Sequence, residues 1–167
     1  MNSLPPPLGS GALVFWRIDP VEFAPSWNRG EGSFRNGGRW NPIGIRTVYA
    51  ALDPATTILE VAVHKGFANL DTVPRMLTRA TVVDPTQVRI VTPDEIPNPD
   101  WLTPAAPSAG QQAFGAVLLA SSIFVLLPSV VSRNSWNLIF DPARAAGGYG
   151  QIEQHAFALD PRLHPAA

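Results

Sequence analysis

One stretch, TVYAALDPATTILEVAVHKG at residues 47–66, decides what kind of fold this chain adopts. It begins with a short β-type run from Thr47 to Ala51. Asp53-Pro54 follows, which offers a helix N-cap and then a proline at the first helical position. The spacing predicts a helix from Pro54 to about Lys65 that ends at Gly66. A strand that leads directly into a helix indicates a domain built from both kinds of element.

Runs of apolar and alternating residues on both sides of this stretch predict the remaining elements. A buried helix is expected at about residues 109–121, and strands are expected over residues 13–18, 75–83, 123–127, 137–140 and 151–158, with a turn at Gly147-Gly148. Residues 27–46 are predicted to form a long loop without a helix. Recurring prolines between Asp84 and Pro107 indicate little regular structure. The prediction is a single α+β domain in which strands outnumber long helices.

Composition narrows the class of protein. The 167 residues are 46% hydrophobic and 15% charged, which is typical of one globular domain with a sizeable core. The net charge of −1 gives no overall attraction to nucleic acid or to an anionic membrane. Because cysteine is absent, disulfides and thiolate metal sites are excluded, and this suits a cytoplasmic location. Residues 1–11 are expected to form a flexible N-terminal tail without the pattern of a signal peptide.

One uncharged segment, residues 113–131, approaches the length of about 20 residues that a membrane-spanning helix needs. Gly115, Ser121, Ser122 and Pro128 interrupt it, and no cluster of Lys or Arg flanks it. We therefore interpret the segment as a buried helix that runs into a buried strand, and no membrane association is expected.

The segment NRGEGSFRNGGRWN at residues 28–41 could bind an anion. Glycines let backbone amides approach a ligand closely, and arginine guanidinium groups match phosphate oxygens. The spacing is neither that of a dinucleotide fingerprint nor that of a P-loop. The alternative is a surface loop with solvated arginines.

Four other positions carry groups that could take part in chemistry. Glu60 is predicted to project away from a core stripe of the helix, on the side that also carries His64, although a surface acid is the plainer interpretation. Ser129 follows the most apolar strand but lacks a nucleophile elbow, so a turn serine is the alternative. Arg17 lies within an apolar strand and needs either a structural carboxylate or a ligand phosphate as its partner.

The core stripe predicted for the helix consists of Ala55, Ile58, Leu59 and Ala62. The three histidines of the chain, His64, His155 and His164, show no metal-ligand spacing.

Taken together, these segments resemble the RES domain family, which is named for an Arg, a Glu and a Ser. Here those residues correspond to Arg39, Glu60 and Ser129. The matching text consists of residues 15–18 (FWRI), 37–44 (GGRWNPIG), 48–50 (VYA), 58–64 (ILEVAVH), 127–129 (LPS) and 137–142 (NLIFDP). The resemblance places the domain at residues 12–160 and leaves residues 161–167 as a C-terminal tail.

The resemblance implies a fold similar to that of ADP-ribosyltransferase toxins, with split mixed or antiparallel sheets and a few helices. It also implies a toxin that consumes NAD as its substrate, needs no metal, and is neutralised by an Xre-like antitoxin protein. Glu60, Arg39 and Tyr49 would be catalytic. The residues expected to bind NAD are Arg17, Arg39, Tyr49, Ser129 and Asn137.

In this scheme Glu60 would stabilise positive charge on the ribose, and Tyr49 would stack on the nicotinamide ring. Arg39, with Arg17 as a second cation, would bind the pyrophosphate. Ser129 would offer a hydroxyl to the ribose or to the amide, and His64 is a weaker candidate for a supporting role.

Several alternatives remain open from the sequence. The ADP-ribose could pass to water, to phosphate or to a protein side chain, which would make the chain a glycohydrolase, a phosphorylase or a protein ADP-ribosyltransferase. A non-enzymatic RNA-binding module would use the Arg, Gly and Trp residues of loop 27–46. A degenerate family member that serves only as a binding scaffold is a third interpretation. Exposed apolar residues in the Pro-rich stretch, such as Trp101, or the C-terminal tail are the candidate contacts for a partner.

Overall fold

The computed structural model describes residues 11–103 and 107–163. Its strands are β1 (Val14–Pro20), β2 (Val48–Ala51), β3 (Arg75–Val82), β4 (Val88–Ile90), β5 (Phe124–Pro128), β6 (Trp136–Phe140) and β7 (Tyr149–Phe157). Its α-helices are α1 (Glu31–Asn36), α2 (Pro54–Lys65), α3 (Phe67–Thr72) and α4 (Ala109–Ser121). Short 3₁₀ turns cover Val21–Ser26, Pro85–Gln87, Pro93–Glu95 and Pro161–Leu163.

The seven strands form one mixed sheet in the order β4-β5-β6-β2-β1-β3-β7. Only β4 and β5 pair in parallel, and every other neighbouring pair is antiparallel. This arrangement confirms a single α+β domain with a mixed sheet and a few helices.

The strands β1 and β2 form the shortest ladder in the sheet. A single registered pair, Trp16 opposite Ala51, joins these strands, whereas β1 and β3 pair along all seven residues of β1. A continued ladder would bring Ile18 opposite Tyr49. Instead, Nη1 of Arg17 donates a 2.8 Å hydrogen bond to the backbone oxygen of Tyr49. The two halves of the sheet therefore separate at this junction, and a side chain spans the separation.

Alternating side chains of β5 supply two apolar clusters on opposite faces of the sheet. Phe124 and Leu126 pack in one cluster with Phe15 and Phe140. The second cluster combines residues of the sheet, of helix α4 and of the neighbouring loops. Its members are Trp40, Val91, Ile96, Trp101, Leu118, Leu119, Val125, Leu127 and Ile139. The helices α2 and α3 cover the other half of the sheet through Ala62, Leu70 and Ile18. The face that carries the helices also carries the candidate site.

Helix α2 has the predicted bounds, and its cap explains why. Asp53 accepts a 2.7 Å hydrogen bond from the backbone N–H of Thr56, and Gly66 ends the helix with a φ of 79°. The predicted core stripe was wrong in part, because Ala55 and Leu59 are exposed, whereas Thr56 and Thr57 are buried. The threonine hydroxyls can be buried because each donates a hydrogen bond, to Asp53 or to the backbone of Asp53 and Trp16.

Two expectations for irregular segments were wrong. The predicted loop at residues 27–46 contains α1, which begins after Gly30 in a left-handed conformation with a φ of 61°. Its Ser33 hydroxyl exchanges hydrogen bonds with the backbone of Thr47, directly before β2, at 2.6 and 2.8 Å. Trp101 is only 6% exposed, because its ring packs against that of Trp40.

The uncharged segment is helix α4 followed by strand β5, as predicted. Within the described ranges, no helix has both the length and the apolar character needed to cross a membrane. The predicted N-terminal tail lies outside the described residues apart from Gly11, and the predicted C-terminal tail is described only as far as Leu163.

Candidate active site

A carboxylate lies between two polar side chains that are distant from it in the sequence. Oε1 of Glu60 accepts a 2.8 Å hydrogen bond from the hydroxyl of Ser129 and a 2.7 Å hydrogen bond from Nδ2 of Asn137. Glu60 projects from α2 and is half-buried, so it is not the solvated surface acid that the sequence left as an alternative. Because both bonds use the same oxygen, they fix the carboxylate, while its second oxygen, Oε2, has no hydrogen-bond partner among the described residues.

The sheet brings the partners of Glu60 together. Asn137 is the second residue of β6 and stands opposite Ala51 of β2. Ser129 directly follows Pro128, the last residue of β5, and its backbone N–H donates to the oxygen of Ser135. The turn after β5 therefore holds Ser129, and β6 holds Asn137, on the same side of the sheet as α2.

The hydroxyl of Ser129 is fully occupied. It donates to Glu60 and accepts 3.2 Å hydrogen bonds from the backbone N–H groups of Val131 and Ser132. The side chain has no exposed surface. With both of its acceptor positions and its proton in use, this hydroxyl orients Glu60.

Tyr49 contributes its hydroxyl to a second group of hydrogen bonds. The hydroxyl accepts from the backbone N–H of Trp40 at 3.1 Å and donates to Oδ1 of Asn41 at 2.6 Å. Burial raises the pKa of this phenol above its ordinary value, and the effect outweighs the opposing hydrogen bond from Trp40 and the charge of Arg39. The phenol therefore stays protonated at neutral pH.

Arg39 supplies a cation to the same region. Its Nη1 donates a 3.2 Å hydrogen bond to the backbone oxygen of Trp101. Burial lowers the pKa of the guanidinium, while the charge of Glu60 acts in the opposite direction. In the described part of the chain no ion pair joins Arg39 to Glu60. A negative and a positive group thus face one region without neutralising each other by contact.

Arg17 has the structural carboxylate that the sequence offered as one possible partner. Its Nε and Nη2 contact Asp19, with distances of 2.7 to 3.0 Å, and its Nη1 holds the backbone of Tyr49. Asp19 is 5% exposed, whereas the side chain of Arg17 is 29% exposed, so the carboxylate of this pair is buried and the guanidinium is partly exposed. Arg17 therefore stabilises the position of the Tyr49 backbone.

Sequence reasoning missed two residues of the site. The sequence assigns no role to Asn41, yet this residue is completely buried and accepts a hydrogen bond from the hydroxyl of Tyr49. Asp19 follows Arg17 by two residues on one strand, a spacing that places both side chains on one face and could have identified the pair. His64 is exposed, and no hydrogen bond or ion pair joins it to Glu60 among the described residues.

The structure weakens the RNA-binding interpretation of loop 27–46. Trp27 and Trp40 are 7% and 1% exposed, so their rings are not available to stack on bases. Arg35 and Arg46 both form ion pairs with Glu31, and Arg46 also lies over the ring of Phe34. Glu31 therefore offsets part of the positive charge that these two arginines could offer to a phosphate backbone.

Comparison with known proteins places this arrangement in a family. The family model described as the RES domain matches residues 14–160. The "Prs ADP-ribosylating toxin" of Sphingobium sp. (strain YBL2) is 32% identical over 158 residues, which cover 89% of this chain and 95% of that protein. A "Toxin Res" from Photorhabdus laumondii subsp. laumondii is 29% identical, with 90% of this chain and 97% of that protein covered.

A solved structure has the same fold. A chain of the crystal structure of the M. tuberculosis MbcT–MbcA toxin–antitoxin complex superposes with a TM-score of 0.63 at 21% identity, covering 89% of this chain and 85% of that one. The family model spans nearly the whole described domain, including Arg39, Glu60 and Ser129. The chain therefore belongs to the RES domain family.

Proposed function

We propose that this chain is the toxin of a toxin–antitoxin pair and that it cleaves the nicotinamide–ribose bond of NAD. The observation that carries the proposal is the Glu60 carboxylate, which Ser129 and Asn137 hold by one oxygen. The names of the relatives, an ADP-ribosylating toxin and toxins of the Res type, support both parts of the proposal.

The reaction needs a fixed negative charge. When the bond between C1′ of the ribose and the nicotinamide nitrogen breaks, its electron pair moves to the nitrogen and neutralises the pyridinium ring. Positive charge then develops on the ribose, as in the oxocarbenium-like transition states of glycoside hydrolysis. A carboxylate that is already oriented stabilises this charge without reorganising, and its free oxygen can accept a hydrogen bond from a ribose hydroxyl. We assign this role to Glu60.

The surrounding residues take supporting roles. Arg39 binds the pyrophosphate, because its guanidinium is charged and is not paired with Glu60. The ring of Tyr49 stacks on the cationic nicotinamide, while its hydroxyl is engaged elsewhere. Ser129 and Asn137 hold Glu60, and Arg17 acts on the site through the backbone of Tyr49.

The acceptor of the ADP-ribose decides the class of the enzyme. The acceptor oxygen or nitrogen forms a bond to C1′ as nicotinamide leaves, and the acceptor loses a proton to solvent. The Sphingobium relative is named for ADP-ribosylation, which favours transfer to a protein side chain. Product analysis with and without phosphate, together with labelled NAD and a cell lysate, distinguishes free ADP-ribose, the 1-phosphate and labelled protein.

An antitoxin partner and a cytoplasmic location belong to the same proposal. A free NAD-consuming enzyme would deplete its own cell, so a partner must block or distort the site. The structural neighbour was solved as a toxin–antitoxin complex, which supports a partner of that kind. We propose an Xre-like protein, and co-expression with the neighbouring reading frame followed by co-purification tests this choice.

The first experiment is NAD consumption by the purified chain, with Glu60→Gln as the test variant. The glutamine keeps an acceptor for Ser129 and Asn137 but loses the charge, so kcat should fall by about 10²-fold or more while the fold is retained. Glu22→Gln is the matched control, because Glu22 is exposed on the 3₁₀ turn Val21–Ser26. Full activity of Glu60→Gln would overturn the assignment of Glu60.

A further inference from the structure

The segment 37–45, which carries Arg39, is built around two buried polar groups. We propose that the side chain of Asn41 and the hydroxyl of Tyr49 are positioning groups that hold this segment, and thereby hold Arg39 in the geometry that binds the pyrophosphate. This inference rests on the proposed function, because it assumes that NAD is the ligand. It assigns to Tyr49 a role for its hydroxyl that is separate from the role of its ring.

Asn41 occupies the centre of the segment. Its Nδ2 lies 2.9 to 3.1 Å from three backbone oxygens, those of Ser33, Pro42 and Ile45. Its Oδ1 accepts the hydroxyl proton of Tyr49 at 2.6 Å. Because this buried amide links three backbone oxygens to the hydroxyl of Tyr49, it fixes the path of the chain around it.

The hydroxyl of Tyr49 closes the segment from the strand side. It accepts the backbone N–H of Trp40, the residue that follows Arg39, at 3.1 Å. A Cβ atom at Gly38 would lie 2.5 Å from this hydroxyl oxygen and 2.8 Å from Oδ1 of Asn41. The segment therefore approaches the Tyr49–Asn41 pair so closely that residue 38 has no room for a side chain.

Arg39 lies at the turn that these contacts close. Gly38 and Asn41 form an isolated β-bridge, with a 2.9 Å hydrogen bond from the Gly38 N–H to the Asn41 oxygen. Gln112 of α4 donates a further 2.9 Å hydrogen bond to the Gly38 oxygen. The backbone is thus tied on both sides of Arg39, which reduces the number of positions that its long side chain samples before a ligand binds.

Tyr49→Phe separates the hydroxyl from the ring. It removes one oxygen and leaves the Trp40 N–H and Asn41 Oδ1 without their partner, while the aromatic face remains for nicotinamide. Tyr149→Phe is the matched control, because Tyr149 is the other tyrosine of the chain and its hydroxyl accepts a 2.7 Å hydrogen bond from Asn28 instead. If only the ring of Tyr49 mattered, both variants would behave like the wild type.

The first readout is hydrogen exchange at the Trp40 amide in the absence of NAD. We expect Tyr49→Phe to accelerate exchange at Trp40 by about tenfold, the effect of losing one hydrogen bond, and Tyr149→Phe to leave it unchanged. Unchanged exchange at Trp40 in Tyr49→Phe would overturn the proposal. Asn41→Ser is a second variant with the same expectation, in case one of the two substitutions prevents folding.

The second readout is the kinetics of NAD consumption. Because the pyrophosphate is remote from the bond that breaks, we expect Tyr49→Phe to raise KM about tenfold and to change kcat little. Faster exchange at Trp40 with an unchanged KM would also overturn the proposal. An absence of NAD consumption by the wild type would instead reject the proposed function, and the exchange measurement distinguishes this result because it does not depend on NAD.

Discussion

The hydroxyl of Ser129 donates a 2.8 Å hydrogen bond to Oε1 of Glu60, although 69 residues separate the two in the sequence. Two backbone N–H groups hold the serine oxygen from the other side. The carboxylate is therefore oriented by a group that is itself immobile. Such preorganisation is what electrostatic stabilisation of a developing charge requires.

Replacing Ser129 with alanine tests this orientation. We expect kcat for NAD consumption to fall roughly tenfold with little change in KM, because Glu60 keeps its charge and Asn137 but loses one of its two donors. Steady-state kinetics measure the split. Ser132→Ala is the control in the same turn, since the Ser132 hydroxyl contacts Ser135 and not Glu60. Equal losses in both variants would argue against a specific role for Ser129.

Replacing Arg17 with methionine tests the hydrogen bond by which its side chain links β1 to the backbone of Tyr49 in β2. The buried Asp19 loses its cation and the Tyr49 oxygen loses a donor, so the free energy of unfolding should fall by about 1–3 kcal/mol. Urea unfolding measures the change, and adding Asp19→Asn should restore part of it. Arg162→Met is the control. Arg162 pairs with Asp160, which is also two residues away, but the side chain of Arg162 is 89% exposed, so its loss should leave the free energy of unfolding unchanged.

Substitution of Gly115 tests how closely α4 packs on the site segment. A Cβ atom at this glycine would lie 2.0 Å from the backbone oxygen of Trp40, so Gly115→Ala should destabilise the protein by about 1–3 kcal/mol or displace residues 37–45. Gly110→Ala, in the same helix, meets its nearest atom at 3.9 Å and should raise stability by up to about 1 kcal/mol. Unfolding midpoints in urea compare the two. A tolerated Gly115→Ala would contradict this packing.

Stability at alkaline pH should depend on Tyr49. Burial raises the pKa of its phenol, so the folded chain keeps the proton to a higher pH than the unfolded chain, in which the pKa is about 10. The corresponding stabilisation is complete below about pH 10 and is lost as the pH rises through the folded value. Unfolding free energies of the wild type and Tyr49→Phe should therefore converge above about pH 10. A constant difference across that range would show that the phenol is not protected.

Local signals explain which elements could be predicted. The bounds of α2 follow from Asp53-Pro54 and Gly66, and those of α4 from its apolar composition, since caps and burial patterns act within a few residues. Helix α1 could not be predicted in this way. It begins at a left-handed glycine without a side-chain cap, and it is held by the contact of Ser33 with Thr47, which lies 14 residues further along the chain, directly before β2.

The sequence by itself determined the family and the single α+β domain, and it supplied Arg39, Tyr49, Glu60 and Ser129 as proposed site residues, because these depend on residue types and their order. Only the tertiary structure decided the contacts. Glu60 accepts a hydrogen bond from Asn137, which is 77 residues away, Arg17 pairs with Asp19, and the hydroxyl of Tyr49 donates a hydrogen bond to Asn41. Hydrogen bonds act over about 3 Å in space, whatever the separation along the chain, so their partners emerge only when the sheet has brought the strands together.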